Sequence, residues 1–370
     1  MRAIAIVDGE HYPDVVRAAL DELPYEFVAV RFVGGTEKLR GAPDYGVPIV
    51  EEGTGGAEIA VDLSDEPVLD PKRRLALAAE MLAAGIPYVG ADFRFDPPTF
   101  HEISVPSVAV IGTGKRVGKT AVTAHVARLL ARDREVVVVA MGRGGPHDPE
   151  LVSSPPSLDE LVARSRAGRH AASDHLETAA LVGVPTIGCR RAGGGAGAPF
   201  TSNVVEGARI AAELGPDVVV FDGSGAAIPP IDVDARILVA HDLESGLNPY
   251  RARISDLVLR VDEDFTLRLR PAAQLEGRVA VFTTGPAETA HLEADIVHVS
   301  RNLARRDLLQ EELARVDADT YVVELKAAAI DVVAEHALER GAKLVLAENE
   351  VVADGLDDAI LALVPQEVRA

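Results

Sequence analysis

The chain has 370 residues, 48% of them hydrophobic and 26% charged, with a formal net charge of −21; that allows two or three domains at roughly 100–200 residues each. The acidic balance argues against a general nucleic-acid binder, which would carry a basic face. Apolar runs such as Val136-Val137-Val138-Val139-Ala140 are strand-sized, far short of the roughly 20 residues of a membrane span, and a single cysteine excludes an internal disulfide framework and suits a reducing cytoplasm.

Met1-Arg2-Ala3-Ile4-Ala5-Ile6-Val7 runs straight into Asp8-Gly9-Glu10 and reads as a first strand, without the long apolar region of a secretory signal. Residues 27–32 and 58–63 are strand-like. Residues 15–23 and 73–84 have helical spacing, with Pro71 placed to open the second helix. Residues 92–98, ending in Pro97-Pro98, read as a linker. A second unit begins with a strand at 107–111 and a helix at 120–130. Strands at 135–140, 184–187, 217–221 and 237–240 alternate with helices at 158–166, 174–181 and 203–214, the last with Asn203 as its cap. From about residue 277 the alternation repeats: strands at 279–282, 296–299, 320–323 and 343–347, helices at 305–312 and 327–338. Such alternation predicts an α/β fold of parallel sheets covered on both faces. The expected division is an N-terminal α/β domain (1–98), a catalytic domain (99–275) and a C-terminal α/β region (276–370), continuous with the catalytic domain or separate from it.

Between the strand at 107–111 and the following helix stands Gly112-Thr113-Gly114-Lys115-Arg116-Val117-Gly118-Lys119-Thr120. This context makes the segment a phosphate loop of the P-loop NTPase type. Gly112, Gly114 and Gly118 permit turns closed to other residues, and loop amides facing inward can hold an oxyanion. The helix start at Lys119, Thr120 and Ala121 adds its positive dipole end. Lys119 can reach the β- and γ-phosphates of ATP, and Thr120 offers a hydroxyl to Mg²⁺. No Asn-Lys-x-Asp guanine-reading segment is present, so ATP is preferred. A second metal-side element is Val218-Val219-Val220-Phe221-Asp222, a buried strand that ends in a carboxylate. A strand-end aspartate capping a turn is the bland alternative.

Two further segments suit anions. Met141-Gly142-Arg143-Gly144-Gly145-Pro146 and Cys189-Arg190-Arg191-Ala192-Gly193-Gly194-Gly195 both put arginine beside glycines at a strand's carboxyl end. Open α/β sheets bind ligands there, and the guanidinium fork matches phosphate. Solvated loop arginines are the competing reading. In Ser173-Asp174-His175-Leu176-Glu177 a helix start explains the residues, leaving His175 as a candidate substrate contact. Cys189 reads as a small apolar filler, although adjacent arginines could lower its pKa.

Five residues separate Gly112 from Gly118-Lys119-Thr120, a longer loop that resembles dethiobiotin synthetase and its relatives among ATP-driven ligases. Over most of its length, in colinear order, the chain resembles the cyclic 2,3-diphosphoglycerate synthetase family. The resemblance rests on Asp8-Gly9-Glu10-His11-Tyr12-Pro13, the phosphate loop, the two arginine–glycine segments, residues 222–230 and Glu324-Leu325-Lys326-Ala327-Ala328-Ala329. The chain looks somewhat short at its ends beside archaeal members. The resemblance implies ATP-dependent closure of 2,3-diphosphoglycerate through a phosphoanhydride, releasing ADP and phosphate, with Mg²⁺ as cofactor. A homo-oligomer, a dimer, is expected, with no nucleic-acid or membrane partner.

Two phosphate charges about 4 Å apart repel by about 4 kcal/mol at an effective dielectric near 20. Lys115, Arg116, Lys119, Arg143, Arg190 and Arg191 are the cations expected to offset that repulsion. Asp8, Glu10, His11, Ser202 and Asn203 are further candidates for substrate contact, the first three competing with a plain helix-capping role. Another dethiobiotin-type ligase or a nucleotide-switch ATPase are the rival readings. The former expects an acidic or amide-rich pocket. The latter expects a lysine at position 114, where Gly114 stands.

Overall fold

The computed structural model describes residues 1–169, 174–285, 288–325 and 329–365. Ser173 and Lys326-Ala327-Ala328, singled out above, lie outside the described residues. The chain divides into two compact units, Met1–Thr99 with Asp242–Ser255, and Phe100–His241 with Asp256–Ala370.

The first unit contains β1 (Arg2–Val7), α1 (Pro13–Glu22), β2 (Glu26–Phe32), β3 (Ile49–Val50), β4 (Ile59–Asp62), α2 (Pro71–Ala83), β5 (Tyr88–Val89) and β6 (Arg94–Phe95). Its sheet runs β3-β2-β1-β4-β5-β6. All pairs are parallel except β5 with β6. Pro71 opens α2 as expected, and the Asp70 side chain accepts from Arg73 N at the first turn. The segment expected as a bare linker contains edge strand β6, because the paired prolines begin only after Phe95.

In the second unit β7 (His101–Glu102) precedes β8 (Ser107–Gly112), α3 (Lys119–Leu130), β9 (Val136–Gly142), β10 (Glu150–Val152), α4 (Leu158–Arg166) and α5 (Asp174–Val182). There follow β11 (Thr186–Ala192), β12 (Thr201–Ser202), α6 (Val204–Glu213), β13 (Val218–Asp222), β14 (Ile231–Asp232) and β15 (Ala235–Ala240). The chain then contributes α7 (Asn248–Arg253) to the first unit and returns as β16 (Leu257–Arg260). The main sheet runs β10-β11-β9-β13-β8-β15-β16, with β12 paired to β11. From β11 to β16 every neighbour is parallel, so the carboxyl ends of these strands share one edge. All residues of β8, β9 and β13 are buried, as sheets covered on both faces require. Each such valine contributes roughly 1.5–3 kcal/mol.

A five-stranded sheet completes this unit, from β17 (Thr266–Pro271), β18 (Arg278–Phe282), β19 (Asp295–Ser300), β20 (Thr320–Glu324) and β21 (Lys343–Val352) in the order β17-β21-β20-β18-β19. Helix α8 (Arg306–Leu313), a π-helical turn (Ala329–Ala334), α9 (Glu335–Glu339) and α10 (Leu356–Leu363) accompany it. Leu356, Ile360 and Val364 share a core with Val122, Val126 and Leu129 of α3. His125 Nε2 lies 2.7 Å from Asp357 Oδ1. The C-terminal region is thereby packed onto the helix that carries the phosphate loop.

Candidate active site

Strand β8 delivers the phosphate loop to the middle of the carboxyl edge. Gly118 caps α3 in the left-handed region, at φ 84°. The other left-handed residue of the loop is Arg116, at φ 62°, whereas Gly112 and Gly114 have negative φ, unlike the expectation for both. Gly112 sits in a tight space: a Cβ there would lie 3.1 Å from Val117 Cγ2 and 3.3 Å from the Gly225 oxygen. A Cβ on Gly118 would meet Phe265 and Leu267 at 3.3–3.4 Å, so the segment leading into β17 buttresses the loop. The amides of Lys119, Thr120 and Ala121 occupy the first turn of α3, where backbone donors lack helical partners. Lys115 and Arg116 are exposed.

Lys119 Nζ forms an ion pair with Asp222 Oδ1, and Thr123 Oγ1 donates to the same oxygen at 2.8 Å. Thr123 is fully buried one helical turn after Lys119. Its i,i+4 spacing from that lysine was the signal in the sequence that identifies it. Asp222 closes β13 beside β8, in register with Val110. A threonine hydroxyl and a carboxylate are hard oxygen donors, the chemistry Mg²⁺ takes. Among the described residues no group of three or more His, Cys, Asp or Glu could hold a metal. Nucleotide sites supply only one or two protein oxygens and leave the rest to phosphates and water, so Thr120 and Asp222 fit such an ion.

The paired arginines separate, because successive strand residues face opposite sides. Arg191 turns toward the loop after β13 and binds Gly193 O, Ser224 O at 2.7 Å and Ser224 Oγ at 3.2 Å. Arg143 comes from the loop after β9 to meet it. The Cβ position of Gly225, at φ +57°, lies 2.9 Å from Arg143 Nη2 and 3.4 Å from Arg191 Nη2. Two guanidinium groups therefore flank Gly225, whose carbonyl abuts Gly112. Arg190 instead donates from Nε to His147 O at 2.9 Å.

Asn203 does not cap α6 with its side chain. Its Oδ1 accepts from Arg190 N at 2.7 Å and its Nδ2 donates to His147 O at 3.1 Å, which straps the Arg143 loop to β11. Ser202 Oγ accepts from Val204 N at 3.1 Å at the start of the same helix. Ser224 and Gly225, within the segment quoted for its family likeness, gained importance only through these contacts.

His175 is 4% exposed, its ring packed on Gly188 so closely that a Cβ there would approach within 2.5 Å. Its Nε2 stands 3.7 Å from Glu150 Oε2, and Arg164 grips the same carboxylate at 2.7 and 3.1 Å. The Arg164 hydrogen bonds hold the Glu150 carboxyl below its ordinary range, against an opposing effect of burial. Burial, with Glu206 nearby, pushes the Cys189 thiol up to about 12, opposite to the lowering that adjacent arginines suggested.

Asp8, Glu10 and His11 belong to the first unit. Asp8 is fully buried and accepts from Glu10 N and His11 Nδ1 at 2.9 Å and from Asp65 N at 2.6 Å. It ties together the chain leaving β1 and the chain leaving β4, the pair at which the order of this sheet reverses direction.

A central parallel strand feeding a glycine loop and helix, with a carboxylate from the adjacent strand, defines a P-loop nucleotide-binding α/β protein. The cyclic 2,3-diphosphoglycerate synthetase N-terminal, P-loop and C-terminal domains match residues 2–96, 107–268 and 271–350. A cyclic 2,3-diphosphoglycerate synthetase of Rubrobacter xylanophilus is 44% identical, covering 98% of this chain and 97% of its own. Those of Pyrococcus furiosus and Methanothermobacter thermautotrophicus are 38% and 36% identical, covering 94% and 99% of this chain and 94% and 96% of theirs. The chain belongs to the cyclic 2,3-diphosphoglycerate synthetase family. The Methanothermobacter alignment spans 446 positions against 370 residues here, so most of the length difference is internal, not at the ends as expected. Among solved structures, LpxK from Aquifex aeolicus in complex with ATP reaches a TM-score of 0.46 at 14% identity, over 72% of this chain and 91% of that one.

Proposed function

We propose that this chain uses ATP to close 2,3-diphosphoglycerate into its cyclic phosphoanhydride, with release of ADP and phosphate. One observation carries the reading beyond family membership. Arg143 and Arg191 flank Gly225, whose carbonyl abuts Gly112, the first residue of the loop that leads to the Lys119–Asp222 pair. Two polyanions placed side by side need cations at that position, and an acidic chain has to gather them locally.

In the proposed sequence, an oxygen of one substrate phosphate attacks the γ-phosphorus of ATP and ADP leaves. An oxygen of the second substrate phosphate then attacks the activated phosphorus, the anhydride bond forms and inorganic phosphate leaves. Phosphates are ionised near neutral pH, so no strong base is required; positioning and charge stabilisation supply the acceleration. Lys119 binds the transferred phosphoryl group and the amides of the first turn of α3 bind the ATP phosphates. Thr120 and Asp222 would hold Mg²⁺, which when bound neutralises phosphate charge. Arg143 contacts the substrate and Arg191 fixes the Ser224 carbonyl beside it. Arg190, Ser202 and Asn203 position the loops that carry these groups.

Phosphorus NMR of the protein with Mg-ATP and 2,3-diphosphoglycerate tests the reading. A cyclic pyrophosphate signal growing with ADP is expected; ADP formation without it would refute ring closure.

A further inference from the structure

The hairpin from β11 to β12 carries a side chain with no part in the assignments above. Its loop runs Gly193-Gly194-Gly195-Ala196-Gly197-Ala198-Pro199-Phe200, and Phe200 is 93% exposed. A single exposed apolar residue is ordinary in itself; its seat sets this one apart. Phe200 N donates to Ala192 O at 2.7 Å, and Arg191 holds Gly193 O. On the inner side Ile228 N donates to Gly197 O at 2.8 Å, and a Cβ on Gly194 would stand 2.7 Å from Ala227 Cβ. The arm therefore lies flush on residues 224–228, the turn that follows Asp222 and that Arg143 and Arg191 flank. Gly194 and Gly197, at φ 112° and 110°, take conformations that side chains disfavour. Residues 193 to 198 are all glycine or alanine and Pro199 follows them, so Phe200 is the one large side chain this arm can present.

Both phosphoryl displacements have water as a rival. Water attacking the γ-phosphorus, or the activated substrate phosphorus, yields ATP + H₂O → ADP + phosphate in sum, and no ring. Excluding water also strengthens the attraction between guanidinium groups and phosphates.

We propose that Phe200 is a shielding residue, carried on the glycine arm, whose ring covers the bound diphosphoglycerate and keeps water from the activated phosphate. This rests on the ring-closing reading. Being solvent-facing, Phe200 can be replaced without loss of folding, and its effect is read as ADP formed per cyclic product. The unaltered protein should form one ADP per ring. Phe200→Ala should raise that ratio severalfold at unchanged KM for ATP, and Phe200→Leu should recover part of the coupling. An unchanged ratio in Phe200→Ala overturns the shielding role. So does dissociation of an oligomer by that substitution at an unchanged ratio, which would assign the ring to a contact between copies. Absence of ring product from the unaltered protein would instead overturn the ring-closing reading, and this one with it.

Discussion

Lys119 and Asp222 form an ion pair almost wholly withdrawn from solvent, their side chains 9% and 0% exposed. A buried pair is costly to halve, because the surviving charge keeps its desolvation penalty. In the proposed function the same two groups serve the nucleotide, the ammonium toward phosphate and the carboxylate toward metal. On that proposal nucleotide binding repartitions the pair, with the Thr123 hydroxyl, 2.8 Å away, donating to the carboxylate.

Lys119→Ala should lower turnover at least about 100-fold, the scale of losing a positioned charge-stabilising group. It should also destabilise the fold by about 3–5 kcal/mol, because Asp222 loses its buried counter-charge. ADP release and thermal melting measure the two effects. Turnover near that of the parent would remove Lys119 from the phosphoryl step.

Asp222→Asn keeps an acceptor for Thr123 while removing the charge. The Mg²⁺ concentration for half-maximal activity should rise about tenfold or more, since metal affinity drops 10- to 100-fold even when outer partners are lost. An unchanged metal titration would take Asp222 out of the metal's coordination.

Gly225→Ala places a methyl 2.9 Å from Arg143 Nη2 at a backbone angle, φ +57°, that favours glycine. Like Arg143→Ala, it should raise KM for diphosphoglycerate about tenfold, roughly 1.4 kcal/mol, with ATP affinity held within about twofold. Equal weakening of both substrates in steady-state kinetics would contradict the division of roles.

Glu150 links acid stability to β10. Its carboxyl, near 4.5 when unfolded, is depressed in the folded chain foremost by the Arg164 hydrogen bonds. A depressed carboxyl supplies stability that is complete above its unfolded value and lost as pH falls through the folded one. Glu150→Gln should therefore lower Tm at pH about 7 and lose less on going from pH about 5 to about 3. Parallel melting curves for parent and variant across that range would refute the linkage.

Cys189, buried and pushed up to about 12, should resist iodoacetamide at neutral pH and react fully in denaturant, because the thiolate is the nucleophile. Mass spectrometry of the native protein showing rapid alkylation would contradict its burial.

The sequence by itself determined the alternating elements and the phosphate loop, because both are local. Helix α4 begins and ends where its spacing placed it, at 158 and 166, and β8 and α3 bracket the glycine loop as their composition required. Strand β17 was missed, although Thr266-Leu267-Arg268-Leu269-Arg270 alternates leucine and arginine as a half-buried strand does; its pairing as an edge strand with β21 makes it plain.

Only the tertiary structure decided which cations meet. Arg190 and Arg191 are neighbours in sequence but opposite in direction along a strand. Arg143 and Arg191 lie 48 positions apart, yet they converge at Gly225 because parallel strands deliver their carboxyl ends to one edge. Asn203 similarly looked like a helix cap and serves as a strap. Local backbone preference is written in a few consecutive residues, whereas the direction of a side chain across strands depends on register and strand order, which no short segment contains.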